Sequence, residues 1–437
     1  MFISRIIERL CSCGYQAYLV GGCVRDDFLG IPSKDEDIVT NATPEELECL
    51  FRDHDVKTVG KSFGVVLING IEVATYRHDR YSGLNDKKCE VTFVDSLIED
   101  LSRRDLTINS LSFCSYTGEV IDPFNGREDL KNRIIRFTGS PKDRIYEDPN
   151  RIIRACRFLA KINGKFECET FEALCKYSHY VRDYVAKERI RLEIFKALEL
   201  SEPSKFFLAL YEIGALDYIF PSMIPCTAHH HGKHHREDIF THLMLCGDSI
   251  SPKYPLLRLA GYLHDIGKPE SYSDDGKFIG HENIGYEIVM RELQDLKFST
   301  DEISKVSNLV KCHMFHFANS SPKVLRRLLH RLNVLDVDYR EFLRLRVADR
   351  TANLAKPNLT LSDLRDIVGR FHSIINEKPP FDIKSLAING DDVMRELDLH
   401  PGPEVGRILR ELLEYTLEDG PEFNTKENLI EVLKSIN

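Results

Sequence analysis

The chain has 437 residues, of which 42% are hydrophobic and 29% charged, and its formal net charge is −10. This profile is typical of a soluble globular protein of about two to four domains, and it excludes a protein that is basic throughout. No run of about 18 apolar residues occurs, and residues 1–10 form an amphipathic helix rather than a signal peptide, so we expect no membrane segment. Twelve cysteines without a paired framework indicate reduced thiols and a cytoplasmic protein.

The first motif is a glycine turn followed by two aspartates. An apolar strand at 17–20 leads into a Gly-Gly turn that contains Gly22, then a short helix with Arg25, then a second strand with Asp35 and Asp37. Glycine lets backbone N–H groups approach a polyphosphate, and arginine offers a bidentate fork for phosphate. Two aspartates at this spacing share one face of a strand, where their oxygens suit Mg²⁺. Each feature alone is common in structural loops, but together they favour phosphoryl or nucleotidyl transfer.

The rest of residues 1–137 is predicted to complete an α/β unit. Thr43, followed by a proline, is expected to cap a helix. An Asn-Gly pair between apolar runs at 63–68 and 71–76 predicts a hairpin. The polar segment 78–90 is interpreted as a mobile loop.

Two basic motifs follow. Arg104 and Asp105 lie in a run that can grip a triphosphate and a ribose hydroxyl, or can equally form a solvated pair at a helix start. Further on, an aspartate precedes a predicted helix start at Pro149 and is followed by arginines three residues apart. These residues are Asp148, Arg151, Arg154 and Arg157. The alternative for this second motif is a capped helix with an exposed basic stripe. Residues 127–161 contain ten Lys and Arg against five acidic residues, as a nucleotide or RNA track would.

The order of these motifs resembles the class II nucleotidyltransferases, the bacterial CCA-adding enzymes and their poly(A) polymerase relatives. The resemblance covers essentially the whole chain and implies an α+β protein. It predicts a polymerase-β-like head with a mixed sheet and helices at 1–137 and an all-α neck at 138–205. A body at 206–370 and a helical tail at 371–437 would follow. Within the neck, residues 187–193 resemble a motif that steadies the nucleotide-binding helices.

The resemblance also implies roles for single residues. Asp35 and Asp37 would be catalytic and hold Mg²⁺. The nucleotide would be bound by Gly22, Arg25, Arg104, Asp105, Asp148, Arg151, Arg154 and Arg157. Asp148 and Arg151 would read the base, because cytosine and adenine both present an amino donor beside a ring-nitrogen acceptor. Uracil and guanine reverse that polarity and would leave buried groups unpaired, at a cost of about 1–3 kcal/mol each.

The implied reaction is template-independent addition of C and A to the tRNA 3′ end from CTP and ATP, with release of pyrophosphate. Addition of CC alone, of A alone, or of poly(A) stays open as an alternative.

A second set of residues lies in the predicted body. His242, the adjacent His264 and Asp265, and the later Asp349 form the pattern of the HD metal-dependent phosphohydrolases, with further histidines between them. An adjacent histidine and aspartate can reach one cation, and imidazole favours a divalent transition metal. Lys268 could steady a phosphate, and a cyclic phosphate or phosphomonoester is the expected substrate class. On this pattern alone the protein would be a phosphohydrolase with a non-catalytic head.

A histidine-rich run at 229–235 is interpreted as an exposed polar loop, with an adventitious metal site as the alternative.

Overall fold

A computed structural model describes residues 2–32, 36–58, 63–81, 83–84, 89–228, 236–273, 277–314 and 320–435. The chain divides into two compact units, Met1–Pro221 and Ser222–Asn437. The first unit combines a mixed sheet with helices, and the regular elements of the described second unit are helices. The predicted α+β class is therefore confirmed. The predicted boundaries after residues 137, 205 and 370 stay predictions.

The first unit is built on a seven-stranded sheet with the order β3-β4-β5-β2-β1-β8-β9. β2 pairs parallel with β5, and the other neighbours pair antiparallel. The β4–β5 hairpin turns at Asn69 and Gly70, both at positive φ, as the Asn-Gly pair predicted. The strands are β1 (Ala17–Val20), β2 (Asp37–Thr40), β3 (Val56–Thr58), β4 (Val65–Ile68), β5 (Ile71–Thr75), β8 (Ser112–Cys114) and β9 (Glu119–Ile121).

A separate two-stranded ribbon corrects the prediction of a loop over 78–90. β6 (Arg77–Tyr81) and β7 (Cys89–Phe93) pair antiparallel, so both ends of that segment are strand. Its polar composition misled the interpretation, because several of the polar side chains of β6 form ion pairs in the folded chain. Asp79 lies 3.2 Å from Arg77 and accepts a hydrogen bond from Arg103 at 2.9 Å. Residues 82 and 85–88 lie outside the described part of the chain.

Helices of the head pack on both faces of the sheet, since Leu97 and Leu101 contact a cluster with Val39 while other helices pack on the face of Ile38. On α1, Ile6, Ile7 and Leu10 are buried in the same core cluster as sheet residues such as Ile38 and Val66. Thr43 and Glu46 form a capping box at the start of α3, which confirms the predicted helix start. The helices are α1 (Phe2–Ser12), α2 (Gly22–Phe28), α3 (Pro44–Leu50), α4 (Leu97–Ser102) and α5 (Gly126–Lys131).

The remainder of the first unit is helical apart from a short parallel pair, β10 (Ile134–Ile135) and β11 (Lys165–Phe166). α7 packs against α10 and α11, and its apolar face, which includes Ile152 and Ile153, is fully buried. This burial orients the polar side of α7 toward the motif residues described below. The helices are α6 (Pro141–Glu147), α7 (Asn150–Ile162), α8 (Cys168–Tyr177), α9 (Tyr180–Tyr184), α10 (Lys187–Leu198) and α11 (Ser204–Glu212).

In the second unit, α13, α14, α17 and α19 pack on one another, with His242 on α13, Asp349 on α19 and His264 directly after α14. A separate apolar cluster joins the last three helices. The helices are α12 (Met223–Cys226), α13 (Ile239–Asp248), α14 (Pro255–Leu263), α15 (Lys268–Ser271), α16 (His281–Asp295), α17 (Thr300–Cys312), α18 (Pro322–Val334), α19 (Tyr339–Ala352), α20 (Leu361–Asn376), α21 (Gly390–Leu397), α22 (Pro403–Asp419) and α23 (Lys426–Ser435).

The structure bears on two features expected from the sequence, the lack of a membrane segment and the reduced cysteines. Within the described residues, no helix combines the length and the apolar character that crossing a membrane requires. Every cysteine whose side chain the structure describes is a free thiol, as the unpaired pattern predicted.

Candidate nucleotide and metal sites

The glycine turn lies between β1 and α2. Gly21 has φ 71°, a conformation that L side chains rarely adopt, and a Cβ built there would lie 3.1 Å from Nη1 of Arg104. Gly22 begins α2, and a Cβ there would lie 3.7 Å from Nη2 of Arg25. Two guanidinium groups therefore lie beside the turn, and the glycines have no side chain that would obstruct a ligand approaching their backbone.

Arg104 is held at this turn by a buried carboxylate. Asp100, with no exposed surface, accepts hydrogen bonds from Arg103 at 2.8 Å and from Arg104 at 3.2 Å. Burial alone would raise the pKa of Asp100, but the two arginines hold it below its usual value. Asp100 thus stays ionised and fixes the direction of Arg104.

Arg25 is more deeply enclosed than a surface phosphate-binding residue would be. Its side chain is 4% exposed, its Nε donates to Asp26 at 2.8 Å, and its Nη1 donates to Asn109. The guanidinium also lies 4.8 Å from the ring centre of Phe158. Burial lowers the pKa of Arg25. Arg25 and Asn109 together tie the start of α2 to the segment that follows Arg104 and Asp105.

Asp37 lies next to the glycine turn because it opens β2 opposite Val20, the last residue of β1. Asp35 lies outside the described residues, so its predicted place on the same strand face stays a prediction. The parallel register of β2 and β5 pairs Ile38 with Val73 and brings Glu72 beside Asp37. Partial desolvation, and then the negative charge of Asp37, raise the pKa of the exposed Glu72 carboxyl.

Glu72 is an acidic neighbour of Asp37 that the sequence reasoning missed. The sequence does show a single carboxylate in a predominantly apolar strand, which could have drawn attention to Glu72. Only the register of the strands shows that this carboxylate adjoins Asp37. Carboxylates crowded in this way repel one another unless a cation lies between them, and their hard oxygens fit Mg²⁺.

Asp105 and Arg154 form a buried ion pair. Asp105 accepts from Nε and Nη2 of Arg154 at 2.8 and 2.6 Å, and from the Asn109 amide at 2.9 Å. Burial would raise the pKa of Asp105, but Arg154 and Asn109 lower it to about 2. The alternative of a solvated charge pair at Arg104 and Asp105 is wrong, because Asp105 is 7% exposed and bonded internally.

The predicted base-reading residues do not pair with each other. Asp148 accepts from Nη1 and Nη2 of Arg189 at 2.8 and 2.7 Å. Arg151 donates to Glu147 at 2.5 Å and to the carbonyl of Arg103 at 3.0 Å. Asp148 is 22% exposed and therefore reachable by a ligand, whereas the Arg151 side chain is 9% exposed.

The arginines of α7 do not form an exposed basic stripe, so that alternative is also wrong. Arg157 donates to Glu193, which is itself buried, and Arg154 lies 3.9 Å from the same carboxylate. Arg189 and Glu193 both belong to the segment 187–193, which contacts the motif on α7 as its expected steadying role requires. Sequence reasoning did not identify their individual partners, which lie 36 or more residues away.

In the second unit, the four predicted HD residues come together. The Nε2 atom of His242 lies 3.1 Å from Oδ1 of Asp349, and Nε2 of His264 lies 3.3 Å from Oδ2 of Asp265. Nε2 of His264 lies 3.8 Å from Oδ1 of Asp349. Ligand atoms arranged tetrahedrally at about 2.1 Å from a transition-metal ion lie about 3.4 Å from one another. The distances between these side-chain atoms are close to that value, so the atoms could bind one cation. The buried Nε2 of His264 makes no hydrogen bond among the described residues, as an atom reserved for a metal would not.

Two more histidines extend this cluster. Oδ1 of Asp265 lies 3.2 Å from Nε2 of His281 and 3.2 Å from Nε2 of His313, and these three residues form a second buried group able to hold a cation. His264, His281 and His313 each direct Nδ1 at a backbone carbonyl, at 2.9, 2.7 and 2.6 Å. That bond places the proton on Nδ1 and presents Nε2 as the ligand atom. The four residues predicted as ligands therefore form part of a six-residue set.

Charged neighbours surround these ligands. Nδ1 of His242 lies 3.2 Å from the buried Glu237, and Lys268 donates to Asp265 at 2.6 Å. Burial disfavours imidazolium, but the nearby carboxylates raise the pKa of His242 to about 9 and that of His264 to about 10. Burial lowers the pKa of His313 to about 4. The predicted phosphate contact of Lys268 stays a prediction, because this lysine is bonded to Asp265.

Three parts of the chain match known sequence families. Residues 17–136 match the poly(A) polymerase head domain. Residues 165–226 match the probable RNA and SrmB-binding site of polymerase A. Residues 227–354 match the HD domain.

Individual proteins agree with these matches. The chain is 42% identical over 206 residues to the CCA-adding enzyme of Ligilactobacillus salivarius, an alignment that covers 46% of this chain and 50% of that protein. It is 30% identical to the CCA-adding enzyme of Levilactobacillus brevis over 97% of this chain and 95% of that protein. The crystal structure of Bacillus stearothermophilus CCA-adding enzyme in complex with CTP superposes with a TM-score of 0.68 at 25% identity, covering 99% of this chain and 96% of that chain.

Proposed function

The chain belongs to the CCA-adding enzyme family, and on that premise we propose that it adds C and A to the 3′ end of tRNA. CTP and ATP are the nucleotide donors and pyrophosphate is the product. The single observation that carries this proposal is the position of Asp37 beside the Gly21 turn, with Arg104 directed at the same turn. A carboxylate next to a phosphate cradle is the arrangement that nucleotidyl transfer needs.

Each residue of the cradle has a task in this proposal. The backbone of Gly21 and Gly22 and the guanidinium of Arg104 bind the triphosphate, because nothing at the glycines blocks a close approach. Asp35, Asp37 and Glu72 would hold Mg²⁺, which would lower the pKa of the RNA 3′-hydroxyl and stabilise charge on the departing pyrophosphate. Asp105 and Arg154 neutralise each other and keep α7 against the head.

Base selection is assigned to Asp148. Its carboxylate accepts from the exocyclic amino group that cytosine and adenine share, and it would face a carbonyl of uracil or guanine. Arg151 can donate to the ring nitrogen only after release from Glu147, while Arg189 already lies within hydrogen-bond distance of Asp148. One carboxylate can thus accept both correct bases without a nucleic-acid template.

The test is incorporation by purified full-length protein into tRNA that lacks its 3′ end. Each nucleotide is supplied singly and then together, and the products are sequenced. Addition of C, C and A in order supports the proposal, and addition of CC alone, A alone or poly(A) selects one of the alternatives. Absence of incorporation from both CTP and ATP would overturn nucleotidyl transfer, with Asp37→Asn as the inactive control.

A second candidate function is phosphoester hydrolysis in the HD unit. Five buried ligand residues, together with the partly exposed Asp349 and with Lys268 beside Asp265, favour this function over a purely structural role. A divalent transition metal bound there would activate water and polarise a phosphate oxygen. Hydrolysis of nitrophenyl phosphate and of a 2′,3′-cyclic nucleotide, measured with Mn²⁺, Ni²⁺ or Zn²⁺ and then with a chelator, tests this proposal. No metal-dependent hydrolysis of either substrate would leave the site structural.

We also propose that head, neck, body and tail occupy 1–137, 138–205, 206–370 and 371–437, which limited proteolysis with mass mapping of the fragments would test. We further propose a cytoplasmic location, because the proposed reaction uses tRNA and nucleoside triphosphates, both of which the cytoplasm supplies.

A further inference from the structure

Four tyrosines form a contiguous cluster on three helices of the neck, one of which, α6, ends directly before Asp148. The tyrosine cluster consists of Tyr146 on α6, Tyr177 at the end of α8, and Tyr180 and Tyr184 on α9. Tyr146 contacts the rings of Tyr177 and Tyr180 with centroids 5.7 Å away in both cases, and Tyr184 contacts Tyr180 at 5.0 Å. These contacts are edge-on, so they hold the rings in fixed orientations.

The cluster has a buried base and an exposed rim. Tyr177 and Tyr180 are each 9% exposed, whereas Tyr146 and Tyr184 are each 37% exposed. The hydroxyl of Tyr180 donates to that of Tyr146 at 3.2 Å, which further fixes the outer ring. The packed base holds two large rings at the surface, where more than a third of each residue remains available for contact.

Positive charge lies directly on this rim. The ammonium of Lys142 is 5.5 Å from the ring centre of Tyr146, and that of Lys176 is 5.5 Å from the ring centre of Tyr177. Both lysines are exposed, and among the described residues neither makes an ion pair with a carboxylate. Nearby Asp183 and Glu147 are already paired with arginines. The surface therefore combines aromatic rings with available cations.

The cluster adjoins the base-reading residues through the chain itself. Tyr146 is two residues before Asp148, and Tyr184 is five residues before Arg189. Because Arg189 and Asp148 are joined by two hydrogen bonds, the two segments that carry the exposed tyrosines meet at the nucleotide site.

We propose that the tyrosine cluster is a stacking platform for unpaired bases at the 3′ end of the RNA acceptor, with Lys142 and Lys176 on the adjoining phosphates. This inference rests on the proposed nucleotidyl transfer, since it supplies the place where the growing end is held. Bases of any type stack on aromatic rings, and lysines read only the backbone, so the platform accepts an end whose sequence changes with every addition. A protein ligand would be expected to offer acidic or apolar side chains, and it becomes an outcome of the test.

The experiment measures binding of a fluorescent tRNA without its 3′ end by anisotropy, which needs no catalysis. Tyr146→Ala and Tyr184→Ala are expected to weaken binding about 5- to 100-fold, while Tyr146→Phe and Tyr184→Phe stay within about 2-fold because the ring remains. Tyr116→Ala is the matched control, since Tyr116 is 57% exposed in the turn between β8 and β9. Circular dichroism confirms that each variant is folded.

A second readout does not depend on removing a ring. A double variant, Lys142→Gln with Lys176→Gln, should bind the RNA with a weaker salt dependence. The slope of the log binding constant against log salt concentration should fall in magnitude by about 1.4, because each lost contact with a single-strand phosphate contributes about 0.7. In steady-state assays the alanine variants should raise KM for tRNA and leave KM for CTP unchanged.

Alanine variants that bind tRNA within 2-fold of wild type would overturn the platform, as would phenylalanine variants that bind as weakly as the alanine ones. Loss of a protein partner with RNA affinity unchanged would assign the surface to protein binding instead. Wild-type protein that binds this RNA through the rings but adds no nucleotide would contradict nucleotidyl transfer alone. Normal nucleotide addition by alanine variants with unchanged RNA affinity would contradict the platform alone.

Discussion

Asp148 and Arg189 are joined by a bidentate ion pair, with Nη1 at 2.8 Å and Nη2 at 2.7 Å from the two carboxylate oxygens. The pair links the C-terminal end of α6 to the first turn of α10. It fixes the orientation of the carboxylate that is assigned to base selection, because a guanidinium fork allows one planar arrangement. Arg151, which was expected to act with Asp148, is bonded to Glu147.

The first prediction follows from this pair. Arg189→Ala should raise KM for CTP and for ATP about 10-fold each, because the loss of charge-assisted hydrogen bonds frees the Asp148 carboxylate to rotate. The KM values of Arg189→Lys should lie between those of the wild type and of Arg189→Ala, since an ammonium keeps the charge but cannot form both hydrogen bonds. Steady-state kinetics at saturating tRNA measure both constants. Arg182→Ala is the control, because Arg182 pairs with Asp183 at the surface. An effect on one nucleotide alone would contradict a shared carboxylate.

A second prediction concerns Asp148 itself. Asp148→Ala should reduce kcat/KM for CTP and ATP together, by about 5- to 150-fold, since one hydrogen-bond acceptor serves both bases. Asp148→Asn should additionally increase incorporation of UTP relative to CTP, because an amide can also donate to a carbonyl. Competition assays with mixed nucleotides, followed by sequencing, give the ratios. If Asp148→Asn still excludes UTP as strictly as wild type, base selection lies elsewhere.

The third prediction is a pH dependence of stability. The folded-state pKa of Asp105 is about 2, below its ordinary 3.8, so its ion pair with Arg154 stabilises the fold above about pH 4. That contribution, about 2 kcal/mol from the shift, is lost as pH falls through 2. Asp105→Asn should therefore have a lower urea midpoint than the wild type at pH 7. At pH 2 most of that difference between the two proteins should disappear. Asp143→Asn, at an exposed position, is the control. A deficit of equal size at both pH values would contradict the ion-pair explanation.

Short-range patterns explain why much of the fold could be predicted. The strand at 17–20, the helix carrying Arg25, the Asn-Gly hairpin and the capping box at Thr43 each depend on residues close in sequence. The grouping of His242, His264, Asp265 and Asp349 was also predicted, because few arrangements other than a metal site require those residue types together.

Partners distant in sequence explain what could not be predicted. Arg189 lies 41 residues from Asp148, and Lys161 lies 135 residues from Asp26, so no local spacing indicates either pair. Residues 91–94 predict a strand and overlap β7, whereas the polar residues of β6 gave no apolar alternation to reveal that strand. Glu72 became visible as a site residue only through the parallel register of β2 and β5.

The fourth prediction concerns the metal-free second unit. The pKa values of His242 and His264, about 9 and 10, lie above the ordinary 6.5, so both are protonated at neutral pH and paired with carboxylates. This stabilisation is fully present below about pH 6.5 and is lost as pH rises through 9 and 10. Scanning calorimetry with a chelator should therefore show a falling Tm from pH 7 to 10. Added Ni²⁺ or Zn²⁺ should reverse the trend, because binding displaces those protons.

His242→Gln should flatten the metal-free pH dependence, whereas His330→Gln should not, because His330 bonds a backbone carbonyl away from the cluster. A pH dependence that is the same in wild type and His242→Gln would show that other groups cause it.

The last prediction tests whether the two chemistries are separate. Replacing His264 and Asp265 together by alanine removes the residue whose two oxygens serve both metal-binding groups, so metal binding and hydrolysis should disappear. Nucleotide addition should remain within about 3-fold of wild type, because Asp37 and the glycine turn belong to the other unit and use other ions. Asp37→Asn should give the opposite result, with addition abolished and hydrolysis intact. A folded double variant, verified by circular dichroism, that no longer adds nucleotides would show that the sites are coupled.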